Sequence, residues 1–223
     1  RDRSVSRGLG DVYKRQVVIA PAYQLADKAL VDRWIAYVKN GGNLVLTCRT
    51  AQKDRYGRLP EAPFGSMVTP LTGNEMNFYD LLLPENPGTV VMNGKEYTWN
   101  TWGEILIPAS DAQVWATYTR EFYEGGPAVT FRKLGKGTVT YVGVDSHNGA
   151  LEKDILKKLY AQLQIPVMDL PYGVTLEYRN GLGIVLNYSD RPYTFNVPEV
   201  SKVLVGTEAV SYTHLRAHET LSD

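Results

Sequence analysis

Two short apolar runs flanking one amphipathic segment constrain the fold of this chain more than any other feature. Residues 17–20 (VVIA) are wholly apolar and stop at Pro21, and residues 43–47 (NLVLT) repeat that character. Between them Leu30, Val31, Trp34, Ile35 and Val38 fall at helical spacing over 26–39. Asp27 stands in the first turn, and Asn40-Gly41-Gly42 supplies a stop. Wholly apolar strands this short suit a sheet covered on both faces. The intervening segment is about the minimum length for a parallel crossover, so residues 17–47 predict a right-handed β-α-β unit.

Residues 50–87 scatter Gly, Pro and Asn without a sustained period, which predicts a long surface excursion with one helical turn near 78–83. Strands are then expected at 89–92 and 95–99, joined by Asn93-Gly94, a dipeptide that tolerates the positive φ angles of a tight hairpin. Further strands are expected at 113–119, 128–133 and 138–144, the last two joined by Leu134-Gly135-Lys136-Gly137. A helix over 150–164 carries Leu151, Ile155, Leu159 and Leu163 on one stripe and ends before Pro166. Beyond it, short β runs at 174–178, 184–188, 193–197 and 203–205, separated by turn residues, predict a small antiparallel module.

The two ends are expected not to belong to this pattern. Residues 6–16 (SRGLGDVYKRQ) and 210–219 (VSYTHLRAHE) correspond to the forward reading and the reverse complement of one transposase-based sequencing adapter. The expected organisation is therefore 1–16 adapter, 17–165 a partial α/β domain, 166–209 a partial β domain and 210–223 adapter. Over the whole chain 24 Lys+Arg balance 24 Asp+Glu, and the part between the ends is slightly acidic, which gives no reason to expect nucleic acid or an acidic membrane as partner. Of the 3 histidines only His147 lies outside the end segments. Cys48 is the single cysteine, so no internal disulfide forms and a reducing, cytoplasmic setting is favoured. No apolar run approaches the roughly 20 residues of a membrane helix.

Several stretches resemble the glycoside hydrolase family 42 β-galactosidases, in that family's order: VKNGGNLVLTCRT (38–50), NFYDLLLPENPGTV (77–90), EYTWNTWGEIL (96–106), QVWATYTREFYEGGPAVTFRKLGKGTVTYVGVD (113–145) and VLNYSDRPY (185–193). The resemblance implies a three-part parent: a catalytic (β/α)₈ barrel that hydrolyses terminal β-D-galactosides with retention, an amidotransferase-like, flavodoxin-type domain that assembles a homotrimer, and a small β domain. It places this chain within the second and third parts, which implies a mostly parallel sheet truncated at its N-terminus, with unpaired backbone edge and poor solubility when produced alone. Both catalytic glutamates are expected upstream in the barrel, so no catalytic residue, cofactor or metal ligand is carried over.

Other constellations have simpler readings. Asn74-Glu75 imitates the pair that presents an acid/base in such barrels, but no barrel strand precedes it. Cys48 follows an apolar strand, where an amidotransferase-like nucleophile would stand, yet its neighbours Thr47 and Arg49 make no glycine-flanked elbow. Asp145-Ser146-His147 has the residue types of a hydrolase triad, but adjacent residues cannot line up as nucleophile, base and orienter. Gly135-Lys136-Gly137 is too short for a phosphate loop. The aromatic residues Tyr97, Trp99 and Trp102 suit either an ordinary core or a subunit interface, and a carbohydrate-binding surface is the third option.

Overall fold

The computed structural model describes residues 16–59, 61, 63–179, 182–195 and 213–215. The chain divides into two units between Leu159 and Tyr160. The first contains β1 (Val17–Ala20), α1 (Lys28–Lys39), β2 (Asn43–Thr47), the short α2 (Thr69–Thr72), β3 (Asn74–Asp80), β4 (Gly88–Met92) and β5 (Lys95–Pro108). There follow β6 (Ala112–Tyr118), β7 (Pro127–Leu134), β8 (Gly137–Val142), β9 (Val144–Ser146) and α3 (Ala150–Gln162), the last crossing the division.

The predicted β-α-β unit is present. β1 pairs in parallel with β2, Val17 opposite Asn43 and Ala20 opposite Leu46. Asp27 caps α1, its carboxylate accepting the Leu30 N–H at 2.8 Å, which satisfies one of the free donors of the first turn. The helix buries Leu30, Val31, Trp34, Tyr37 and Val38 against Leu44 and Leu46 of β2 and Val139 and Tyr141 of β8. Each fully buried Leu or Val there contributes roughly 1.5–3 kcal/mol. β1 is not covered as expected: it is the end strand of the described sheet, and Ile19 is exposed.

The sheet order is β1-β2-β8-β7-β6-β4-β5-β3, with β9 attached to β5. Only β1/β2 and β2/β8 are parallel, and every other pairing in this sheet is antiparallel. This corrects the expected mostly parallel sheet. The reason lies in the connections: parallel neighbours need a crossover of a dozen or more residues, whereas the turns at Asn93-Gly94 and Gly135-Lys136 return the chain beside itself. Asn93 and Gly94 have φ of 52° and 77°, the conformation a two-residue hairpin demands.

Two features of the sheet differ from expectation. Residues 74–80, predicted within an irregular excursion with a helical turn near 78–83, form β3, which pairs with the second half of β5 and is the other end strand; the helical turn of this stretch falls earlier, at Thr69–Thr72. β5 itself continues nine residues past the predicted end at Trp99, to Pro108. Gly103 and the charged Glu104 break the apolar alternation there, although Gly103 is demanded by packing: a Cβ would lie 2.6 Å from the Trp99 ring.

In the second unit β10 (Val174–Arg179) and β11 (Leu182–Asn187) form an antiparallel pair, Val174 opposite Asn187. β12 (Tyr193–Phe195) pairs antiparallel with β13 (Thr213–Leu215). The strand expected at 203–205 lies outside the described residues, as do residues 1–15 and most of the other end segment.

Candidate functional site

The centre of the first unit is a buried carboxylate. Glu104 on β5 is fully enclosed, at 0% exposure. One oxygen accepts the Arg49 backbone N–H at 2.7 Å and the Trp102 indole N–H at 3.0 Å. The other accepts the Tyr141 hydroxyl of β8 at 2.7 Å. Its backbone is equally engaged, with N–H donating to the Gly143 carbonyl at 2.7 Å and C=O accepting the Tyr118 hydroxyl at 2.8 Å. Burial pushes the Glu104 carboxyl above the usual range, against the opposing pull of the Tyr141, Arg49 and Trp102 hydrogen bonds.

Around this carboxylate the aromatic residues stack. Trp102 lies face to face with Tyr79 of β3, ring centroids 4.1 Å apart and planes 13° from parallel. The Arg49 guanidinium lies over the same indole, 4.9 Å from its centroid. Tyr79 and the Arg49 guanidinium therefore both lie against the Trp102 indole, whose N–H is bonded to Glu104. Phe64 leans on both Tyr79 and Trp102. Arg49 takes φ of 66°, a left-handed backbone that its N–H bond to Glu104 helps to hold.

The residues singled out by sequence fall in different places. Tyr97, Trp99 and Trp102 are all buried within the chain, at 5%, 1% and 7% exposure. The Tyr97 hydroxyl donates to Asp154 of α3 at 2.7 Å, and burial followed by that bond pushes it up to about 12. Cys48 is buried beside the cluster, and burial first, then the Glu104 charge, pushes its thiol well above the ordinary range. Ser146 is buried, its hydroxyl bonded to Glu152 and accepting the Leu151 N–H at 3.1 Å, so it caps α3, while Asp145 and His147 are exposed. Glu75 is exposed on β3 opposite Ile107, three residues from Glu104 along β5 and therefore on the other face of the sheet. Asn74, its neighbour, is buried and donates to the Thr130 hydroxyl at 2.8 Å. Gly135-Lys136-Gly137 is a strand-to-strand turn packed beneath the end of α1, the Lys136 N–H donating to the Lys39 carbonyl at 3.1 Å.

Sequence reasoning missed the Glu104 cluster as a unit. Its signal was a single acid within the otherwise apolar run from Trp102 to Ile107, since a charge is retained in such a run only when it is paired or hydrogen-bonded. Among the described residues no group of three His, Cys, Asp or Glu side chains is placed to hold a metal, and no helix is long and apolar enough to cross a membrane.

A mixed sheet with its parallel pairs at one end and α1 packed on them, centred on a buried carboxylate that accepts three hydrogen bonds, defines an α/β domain. The sequence profile of the β-galactosidase trimerisation domain matches residues 8–171, and the chain belongs to that family. It is 29% identical over 193 residues to the β-galactosidase BgaH of Haloferax lucentense, covering 86% of this chain and 29% of that protein. To BgaA of Clostridium cellulovorans it is 31% identical over 200 residues, covering 87% and 30%. The chain thus spans less than a third of the length of these relatives. Among solved structures it is similar to the β-galactosidase of Halorubrum lacusprofundi, with TM-score 0.82, 25% identity and coverage of 94% of this chain and 31% of that one. The β-galactosidase of Bacillus circulans sp. alkalophilus shares the fold, with TM-score 0.79 at 21% identity, covering 93% and 32%.

Proposed function

We propose that this chain is the non-catalytic assembly portion of a β-galactosidase, that it holds the copies of a homotrimer together, and that a barrel outside this sequence hydrolyses terminal β-D-galactosides with retention. In this reading residues 17–165 are a partial trimerisation domain, 166–209 the start of a C-terminal β domain, and 1–16 and 210–223 foreign, although the family match itself begins at residue 8 and Thr213–Leu215 pair with β12. The parallel corner of β1, β2 and β8 with α1 corresponds to the amidotransferase-like, flavodoxin-type part of the domain, and a cytoplasmic location goes with the single reduced cysteine.

The observation that carries the reading is the family match over residues 8–171, joined to the state of Glu104. A retaining glycosidase needs two carboxyl groups about 5 Å apart across a sugar. Here Glu104 is sealed and accepts three hydrogen bonds from the protein, and Glu75 is on the opposite face. An amidotransferase-like role for Cys48 is weakened by its burial and raised thiol pKa. A carbohydrate-binding module built on the tryptophans is weakened by the burial of Trp99 and Trp102. Of the three aromatic residues considered for a subunit contact, Trp102 remains a contributor through Tyr79, which stacks on it and is 46% exposed.

The test is an assay of the purified chain on an aryl β-galactoside together with sedimentation velocity over a concentration series. The reading expects no phenol release and a concentration-dependent trimer. Hydrolysis that disappears on Glu75→Gln or Glu104→Gln overturns it.

A further inference from the structure

The division of donors between the two oxygens of Glu104 fixes where a proton can sit. Oε1 faces the Arg49 backbone N–H and the Trp102 indole N–H, and neither group can accept a hydrogen bond. Oε2 faces the Tyr141 hydroxyl at 2.7 Å, and a hydroxyl both donates and accepts. A neutral carboxylic acid has to donate its own hydrogen, so inside this enclosure the proton belongs on Oε2, directed at the Tyr141 oxygen. The Tyr141 hydrogen then needs another acceptor, and Met76 Sδ of β3 stands 4.0 Å from the same hydroxyl, a thioether being a weak acceptor of longer reach. Glu104 and Tyr141 are at 0% exposure and Met76 at 6%, so bulk solvent does not supply that acceptor.

These side chains come from three strands. The register shift between Met76 and Phe78 sets Met76 opposite Leu106 and Tyr79 opposite Glu104, so Met76 lies on the Glu104 side of the β3–β5 pair. β8, which carries Tyr141, pairs with neither β3 nor β5, and the Tyr141 hydroxyl therefore joins strands that share no backbone ladder. The other titratable groups around the carboxylate do not take its proton. Burial favours its neutral form, while the Arg49 guanidinium over Trp102 favours the ionised one. Cys48 beside it and Tyr118, whose hydroxyl donates to the Glu104 carbonyl, are both pushed well above their ordinary ranges by burial and stay neutral. Asp145 and Glu152 bear on Cys48, and Tyr123 and Asp80 on Tyr118.

We infer that Glu104, Tyr141 and Met76 form a proton-linked switch between two hydrogen-bond arrangements of the same side chains. With the proton on Oε2, Glu104 donates to Tyr141 and Tyr141 donates to Met76, which fastens β8 to the end strand β3. When that O–H gives its proton to solvent, Tyr141 turns its hydrogen back to Oε2, Met76 is released, and the bonds from the Arg49 and Trp102 N–H groups become charge-assisted and tighten. The folded-state carboxyl is raised, so the tie to β3 is present at low pH and is exchanged for a firmer Arg49 loop as pH rises through the raised value. This device goes beyond the assembly reading and does not rest on it.

The test uses the full 223-residue chain carrying His147→Gln, which removes the histidine of the first unit as a second titrating group. Infrared difference spectra follow the buried carboxylic acid band, and methyl-labelled methionine follows Met76 by NMR, its resonance picked out from those of the 4 methionines by Met76→Leu. The inference expects a carboxylic band that is absent from Glu104→Gln and fades as pH rises, and a Met76 resonance that moves with the same midpoint. In Glu104→Gln, whose amide N–H donates to Tyr141 as the acid O–H does, the resonance should keep its low-pH position throughout. In Tyr141→Phe the carboxylic band should remain while the Met76 step is lost. A folded protein without the carboxylic band at any pH, or a Met76 step of undiminished size in Tyr141→Phe, overturns the inference. Should Tyr141→Phe fail to fold, Met76→Leu decides: it removes an acceptor that only the neutral arrangement needs, so the band should fade at lower pH than in the parent chain, and an unchanged midpoint overturns the inference. Trimer formation is read separately, by sedimentation, and none of these outcomes alters it.

Discussion

The backbone N–H of Arg49 donates to the Glu104 carboxylate at 2.7 Å across 55 residues of sequence. That bond joins the loop after β2 to the middle of β5, strands that are far apart in the sheet order, and it fixes a left-handed residue that no glycine relieves. Three donors converge on this one buried side chain, so its removal affects three elements at once.

Glu104→Ala is expected to destabilise the first unit by roughly 3–5 kcal/mol, because the Arg49 N–H, the Trp102 indole and the Tyr141 hydroxyl all lose their acceptor inside the core. Urea unfolding followed by tryptophan fluorescence reads the change. A loss below about 1 kcal/mol would show that water or a rearrangement satisfies the donors.

Glu104 also sets a pH dependence. Its folded-state pKa is raised, mainly by burial, so the native state binds its proton more readily than the unfolded chain. The contribution is fully present below the unfolded carboxyl pKa of about 4.3 and is lost as pH climbs through the raised folded value. Glu104→Gln keeps an acceptor for Arg49 and Trp102 and cannot ionise, so wild type should lose stability relative to this variant as pH rises. Parallel denaturation curves of the two proteins from pH 5 to 8 would contradict this.

The Cys48 thiol, buried and pushed up by burial and by Glu104, should be unreactive in the native chain. A thiol-specific chromogenic reagent is expected to label it only after unfolding in guanidinium, which makes it a convenient reporter of global opening. Rapid stoichiometric labelling of the folded protein would reinstate a reactive cysteine.

Gly137 lies where a Cβ would meet the Gly42 carbonyl oxygen at 2.0 Å and that of Val38 at 2.4 Å. Gly137→Ala should therefore cost about 3 kcal/mol through displacement of the α1–β2 turn. Gly57→Ala, at φ of 80° with nothing within 4 Å of its Cβ, should cost only the backbone strain of roughly 1–2 kcal/mol. Thermal melts of both variants separate packing from conformational strain, and equal losses would refute the assignment.

Local signals in the sequence were legible where the structure obeys local rules. The VVIA–helix–NLVLT unit and the Asn93-Gly94 hairpin form as their spacing predicts, and α3 buries Leu151, Ile155 and Leu159 of its expected stripe, while Leu163 falls past the helix end at Gln162. β3 was not legible, because Asn74 to Asp80 alternates weakly and acquires strand character only by pairing with β5. Glu104 was equally hidden, since a lone acid in an apolar run shows that a partner is needed without naming it.

By itself the chain determined its short-range elements and, through the resemblance of its motifs, its family, because turn chemistry and hydrophobic period act over a few residues. Tertiary structure alone decided that the sheet is mixed, that Tyr97, Trp99 and Trp102 turn inward, and that Arg49, Trp102, Tyr141 and Glu104 meet. The physical reason is that hydrogen bonds to a buried carboxylate are set by which strands become neighbours, and that choice rests on the packing of the whole sheet.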